Sequence, residues 1–392
     1  MTDFANQLFK RDYAQEAKEL LMVNRPKPQN TIKWKQFDTS HITPNDVVAI
    51  IDGDWLAFTA TSMEMERAVA FEYNGKRHVF KGLYTEMKEF CKQHNIPYEP
   101  SLGVKVQKNH PSAVNFAKSS IKKKVRHIIE ATGATKVVMI CGSTGNVRSR
   151  LPLPKLSNDR IWSYKGQRED GWIPKTLTEV KTWLMSSWES HWAVGEEADD
   201  CITVTSQELC NKGVKAYIVG IDKDYCCEQF GGLYLIGRHE TPVYLDKNEG
   251  NALGWVQAYK SEGGSEKMLG QGDRFLCYQI LHFDEPDNYW CAKTLRVLGT
   301  GGNFSFKQCE KYLMSCNTRK ELWEKVLKRF TDNLPEKFTY EDCFGVWRES
   351  TPLDMLRLFY SAAKMREYAD HTPCVIEDRL KPLGVTYDYR PD

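Results

Sequence analysis

The chain has 392 residues, with 54 Lys and Arg against 52 Asp and Glu, so its formal net charge is only +2 at pH 7. An apolar content of 41% with so little net charge describes a globular protein of one large or two medium domains and excludes a disordered chain. The 26 Gly and 16 Pro follow no period, which excludes a collagen-like or low-complexity chain, and no run approaches the roughly 18 apolar residues of a membrane helix.

The opening MTDFANQLFKRDYAQEAKELL mixes acids and bases and lacks the apolar region of a secretory signal. It reads as a short amphipathic helix, followed by a polar, Pro-interrupted stretch to about residue 45. Val47 to Ile51 is a continuous run rich in β-branched residues, the pattern of a strand buried on both faces of a parallel sheet. A long insertion follows. It contains FEYNGKRHVF, where Asn74-Gly75 between alternating runs signals a hairpin. Val114, Ala117, Ile121, Val125 and Ile128 recur at helical spacing before a second buried strand, Lys136 to Ile140. Ile202, Thr205 and Leu209 do the same before a third, Ala216 to Gly220, with Gly213 as a helix stop. Alternating helix and buried strand predicts an α/β sheet with right-handed crossovers. After about residue 276 the pattern reads mainly as helices. Twelve cysteines show no C-x-x-C spacing, and Cys201, Cys277 and Cys291 lie in apolar runs, so they read as buried reduced thiols of a cytosolic protein.

Charge is segregated along the chain. Residues 118–175 carry thirteen Lys/Arg and four Asp/Glu, whereas residues 176–250 carry six and thirteen. A polyanion held by the basic stretch reaches the acidic one only with cations between them, which suggests metal ions. Open α/β sheets place their chemistry at the carboxyl ends of strands. The first strand ends in Asp52-Gly53-Asp54 and the third runs into Asp222-Lys223-Asp224. The helix before the third strand opens with Gly195-Glu196-Glu197-Ala198-Asp199-Asp200, and Asp284-Glu285-Pro286-Asp287-Asn288 comes later. In Asp222-x-Asp224 an extended backbone would point both carboxylates the same way, and Asp284-x-x-Asp287 either puts two about one helical turn apart or marks a turn, since Asp-x-Pro-Asp-Asn is good turn chemistry. Like charges at a buried strand end are costly unless a cation separates them. Oxygen ligands in such number suit Mg²⁺ or Mn²⁺. Arg148, Arg150 and Tyr164-Lys165-Gly166-Gln167-Arg168 supply phosphate-matched cations. Gly299-Thr300-Gly301-Gly302 lacks the Lys-Ser/Thr of an NTPase loop. Cys141-Gly142-Ser143 has no recognisable His partner for nucleophilic catalysis.

These blocks together resemble the 5′-nucleases: flap endonucleases, the 5′-exonuclease domains of bacterial DNA polymerases, and the 5′→3′ exonucleases of tailed phages. IIDGDWLAF is similar to the family's first strand with its metal-binding Asp, here Asp52. NVRSRL followed by YKGQR resembles the segment that meets the 5′ end and scissile phosphate. GEEADD, IVGIDKDY and LHFDEPDNY resemble the remaining ligand blocks. The pieces run in the family's order over residues 47–313 and are most like phage exonucleases. Two departures stand out: Ser143 falls near the slot where the family carries an Asp after its second strand, and the Gly-rich turn at Gly299 is delayed.

The resemblance implies a PIN-like, mostly parallel twisted sheet flanked by helices, with a C-terminal helical subdomain. It divides the chain into an extension (1–45), a nuclease core (46–275) with a hairpin inserted near 71–80, and a helical DNA-binding and C-terminal region (276–392). It implies a metal-dependent 5′→3′ exonuclease or structure-specific 5′-nuclease that hydrolyses DNA with two Mg²⁺ or Mn²⁺ ions. Asp52, Glu197 and Asp199, with Asp200 adjacent, would hold one ion. Asp222, Asp224 and Asp284 would hold the other, with Asp287 through water. Catalysis would fall to Asp222, Lys165 and Arg168, the last two stabilising charge on the phosphate. Arg148, Tyr164 and Lys122-Lys123-Lys124 would bind the strand. The implied partners are DNA with a 5′ end and a phage DNA polymerase, with no membrane, in the cytoplasm of an infected bacterial host. The alternatives are a nuclease that removes RNA primers and a non-catalytic DNA-binding subunit of a phage replication complex.

Overall fold

The computed structural model describes residues 36–63, 65–109, 113–143, 146–158, 160–167, 172–366 and 375–387. The amphipathic segment near the start and Arg168 lie outside the described residues. Strand β1 (Val47–Asp52) leads directly into helix α1 (Gly53–Ser62). A module follows, made of β2 (Met65–Tyr73), β3 (Lys76–Phe80), α2 (Leu83–Gln93) and β4 (Val104–Asn109). Next come α3 (Ala113–Thr132), β5 (Lys136–Gly142), α4 (Leu177–Ser187), β6 (Glu189–Ala193), α5 (Ala198–Asn211) and β7 (Lys215–Gly220). Strands β8 (Gly231–Leu235) and β9 (Val243–Leu245) complete the main sheet.

That sheet has the order β6-β5-β1-β7-β8-β9. All pairs are parallel except β8 with β9. The expected α/β class is therefore observed. The central position of β1 explains its composition. Val48 and Ile50 face one core and Ala49 and Ile51 the other, and none has exposed surface. Burial on both faces stabilises by about 1.5–3 kcal/mol for each large aliphatic side chain, so no polar alternation is tolerated. Helices α1, α3 and α4 cover the second core, while α5 belongs to the first. Gly53 is where α1 presses on β5: a Cβ there would lie 2.5 Å from Cys141 Sγ and 3.1 Å from the Ile140 carbonyl oxygen. Only glycine permits this approach, which fixes the adjacent Asp52 and Asp54.

The inserted module is an antiparallel sheet of order β3-β2-β4 with a core of Val69, Phe71, Phe80, Met87 and Cys91. Asn74 and Gly75, with φ of 50° and 70°, form its two-residue turn.

The rest of the chain comprises α6 (Glu249–Leu253), β10 (Trp255–Lys260), β11 (Glu266–Gln271), α7 (Gly272–Leu281), α8 (Cys291–Leu298), α9 (Phe306–Met314) and α10 (Arg319–Asn333), then β12 (Phe338–Glu341), β13 (Trp347–Ser350), α11 (Pro352–Ala363) and α12 (Ile376–Leu380). Two differences from the sequence reading have physical causes. The late hairpin β12–β13 has strands of four residues each, too short to show alternation. The first core is continuous from Phe37 to Val385, so residues 36–45 and the C-terminal helices share one interior with the sheet. Among the described residues no helix is long and apolar enough to cross a membrane, and the eleven cysteines there are free thiols.

Candidate active site

Asp52 ends β1 and caps α1, accepting a hydrogen bond from the Trp55 amide at 3.0 Å. Glu197 is the residue before α5, and Asp199 stands in that helix's first turn. Asp222 follows β7, but the backbone does not stay extended there. Asp222 caps a 3₁₀ turn over Lys223–Cys227, its Oδ1 accepting from the Asp224 amide at 2.9 Å. Asp284 and Asp287 are not on a helix either. Asp284 and Tyr289 exchange backbone hydrogen bonds of 2.9 and 3.1 Å across a turn closed by Asn288 at φ 60°. Turn chemistry, rather than helical spacing, brings these two carboxylates together.

Glu197, Asp199, Asp222, Asp224 and Asp287 line one narrow cleft with Tyr164, Lys165 and Arg148, and its free space is about 10 Å³, room for roughly one water. Asp52 and Asp284 lie beside them, coupled electrostatically to Asp222 and Asp224 respectively. Burial, with repulsion from Asp54 and Asp222, pushes the Asp52 carboxyl up to about 7. Burial and repulsion from Asp52 push Asp199 up to about 8. The same causes raise Asp222 well above the ordinary range, Asp284 to about 6, and Asp287 upward. Glu197 goes the other way: burial opposes its ionisation, but Lys165 and Arg148 outweigh burial and hold it at about 2.

Two ammonium groups sit inside the acid cluster. Lys165, at φ 54°, donates to Glu197 and stands 3.7 Å from Asp287. Lys223 bridges Asp284 and Asp224, the latter at 3.0 Å. Among the described residues no three acidic, His or Cys groups enclose a vacant cation position as they stand. The lysines take up the space and the oxygens. The donor set itself fits a hard divalent cation: it is all carboxylate, largely buried, and raised above the ordinary carboxyl range by burial and by mutual repulsion, both of which a bound cation would offset.

Other expected site residues are placed differently. Arg148 is 6% exposed and does not face the cleft's mouth as a strand-tracking cation. Its guanidinium holds Asp200 bidentately at 2.7 Å, Glu197 at 2.6 Å, and the carbonyls of Ser361 and Lys364 at 3.2 and 2.7 Å. Asp200 is 1% exposed and also accepts from the Arg366 amide, so its oxygens serve this lock and not a cation. Tyr164 is buried and donates to Asp287 at 2.7 Å, bracing that carboxylate. Lys122, Lys123 and Lys124 lie on α3, across the sheet from α5. Lys122 stacks over Trp183 and Lys124 over Trp55. The Ser143 hydroxyl donates to the Ala193 carbonyl at 2.9 Å. Asp54 instead presents a carboxylate at the end of β5, accepting from the Gly142 amide at 2.8 Å and pairing with Lys181.

Three features were not read from the sequence. Tyr225 is fully buried and donates to Asp199 at 2.6 Å. Gln279, on α7 and also fully buried, donates to Asp224, while its oxygen accepts from the Cys227 thiol at 3.0 Å. A polar residue on an all-buried helix was the available signal for Gln279. The third is the end of α11 with the residues just after it, where Ala362, Ala363 and Met365 form part of the cleft wall.

No family model and no curated protein matches the chain. Solved structures similar to it include bacteriophage T5 5′-exonuclease with bound zinc, at 11% identity over 86% of this chain and 96% of that one, TM-score 0.39. A second is a bacteriophage T5 flap endonuclease complex with DNA and metal ions, at 11% identity over 86% and 97%, TM-score 0.41. At such identity and TM-score the likeness carries no functional weight, and the site must speak for itself.

Proposed function

We propose that this protein is a divalent-cation-dependent nuclease that hydrolyses DNA phosphodiesters from a 5′ end. The supporting observation is the gathering of Asp52, Glu197, Asp199, Asp222, Asp224, Asp284 and Asp287 from four separated segments, with Lys165 among them. Buried acids that repel one another destabilise a fold, and a cation-binding role accounts for their retention. Asp52, Glu197 and Asp199 would hold one Mg²⁺ or Mn²⁺, and Asp222, Asp224 and Asp284 a second, with Asp287 beyond. Such ions supply an activated water and neutralise the phosphate. Tyr225, Gln279 and Tyr164 orient the carboxylates, while Arg148 and Asp200 fix the start of α5. Lys165, once released from Glu197, would meet the anionic phosphate, and Lys122, Lys123 and Lys124 would extend positive charge along α3. Arg168, three residues beyond Lys165, is proposed as its companion.

The test is digestion of 5′-labelled single-stranded, flap and duplex DNA, with RNA and hybrid strands alongside, in Mg²⁺, Mn²⁺ or chelator. Cation-dependent release of label is expected, with loss in Asp222→Asn. Full activity of that variant refutes the assignment. Mn²⁺ binding without turnover on any substrate turns the reading to a DNA-binding subunit.

A further inference from the structure

The Lys223 ammonium lies between the two carboxylates that would close the second cation position. It donates to Asp224 Oδ1 at 3.0 Å and to Asp284 Oδ2. Those acceptors are held independently of the lysine. Asp224 also receives Gln279, and Asp284 Oδ1 receives the Asp287 amide at 3.3 Å. Each carboxylate therefore has an anchor besides the lysine. Asp284 is nearly inaccessible, at 2% side-chain exposure, whereas the Lys223 side chain is 29% exposed. The flexible stem therefore has a route outward that the carboxylates lack. Lys165 differs, since its acceptors are Glu197 and Asp287 and its own amide is pinned to the Asp287 carbonyl at 3.0 Å.

We propose that Lys223 is a tethered counter-ion of the acid cluster. It occupies the Asp224–Asp284 position in the cation-free protein and must swing out before a divalent ion enters. This rests on the cation-holding reading above. A tethered competitor acts at high effective concentration, so this half of the cluster fills last and most weakly. The lysine is a positioning residue. It neutralises two buried carboxylates without metal and sets the cation concentration at which the second half fills.

The experiment is a calorimetric Mn²⁺ titration of the chelator-treated full chain, comparing wild type with Lys223→Gln, Lys223→Met and Lys223→Arg, with thermal midpoints of the metal-free proteins. Gln and Met should tighten the weakest Mn²⁺ site by at least about tenfold, because a like charge is removed from the site, and should lower the metal-free midpoint. Arg should not tighten it. A neutral variant that unfolds without metal is read by Mn²⁺-induced refolding, which supports the proposal at concentrations below the wild-type weak site and overturns it above. Unchanged or weaker affinity in folded Gln and Met variants overturns the proposal while the cation-holding reading stands. No Mn²⁺ binding by wild type or any variant overturns both.

Discussion

Arg148 offers the sharpest test of how the site is built. As an exposed cation it would contact phosphate, and its loss would cost no more than about 0.5 kcal/mol of stability. Here it is buried, with Asp200 at 2.7 Å through both terminal nitrogens, Glu197 at 2.6 Å, and two carbonyls from residues 361–364. Arg148→Met keeps the length of the stem but strands Asp200, which is 1% exposed and retains the Arg366 amide. Removing one partner of a buried pair leaves an uncompensated charge, at a cost of about 3–5 kcal/mol. The double variant Arg148→Met/Asp200→Asn removes the stranded charge, and the cycle should show a coupling of about 1–3 kcal/mol. Urea unfolding midpoints at constant m measure both. DNA affinity against salt supplies the second readout, since a lost phosphate contact would flatten the slope by about 1. The slope should be unchanged in Arg148→Met. A loss under about 1 kcal/mol together with a flattened slope would refute the buried lock.

Other expectations follow from the same electrostatics. In the metal-free protein Asp52 and Asp199, raised from 3.8 to about 7 and about 8, bind protons that the unfolded chain has released. Their contribution is complete below about pH 4 and is lost as pH rises through 7 to 8. Thermal midpoints with chelator should therefore fall over that window, and added Mg²⁺ should raise them more at the alkaline end; a flat profile contradicts the repulsion. Asp222→Asn should stabilise the metal-free protein by about 1–2 kcal/mol at the alkaline end while abolishing hydrolysis, as denaturation and cleavage assays would show. Gln279→Leu, which frees Asp224 from its donor, should weaken Mn²⁺ binding severalfold with the fold intact by circular dichroism. Gly53→Ala should lower stability by about 1–3 kcal/mol, because its Cβ meets Cys141 Sγ at 2.5 Å.

The central strands were legible because burial on both faces leaves them no polar residues, as in Val48 to Ile51. The edge strand β6, Glu189–Ala193, was not: it is polar and largely accessible, and one strand pair holds it. Gly231-Gly232 likewise hid β8, although all five of its residues are buried. The acids were legible because they stand at the ends of legible strands. Which charges turn inward was not, because the partners are remote. Arg148 owes its burial to residues more than 200 positions away, and Asp200 to Arg366. Local spacing also misjudged the backbone at Asp222, where a cap replaces an extended strand, while at Asp284 it left helix and turn open and the turn is what forms.

The most direct measurement is anomalous diffraction from crystals grown with Mn²⁺. Anomalous density is expected in the cleft among Asp52, Glu197 and Asp199, with a second peak beside Asp222 displacing Lys223 from Asp224 and Asp284. A cleft without anomalous density at saturating Mn²⁺, with both lysines still holding their carboxylates, would contradict the proposal that these acids converge to bind cations.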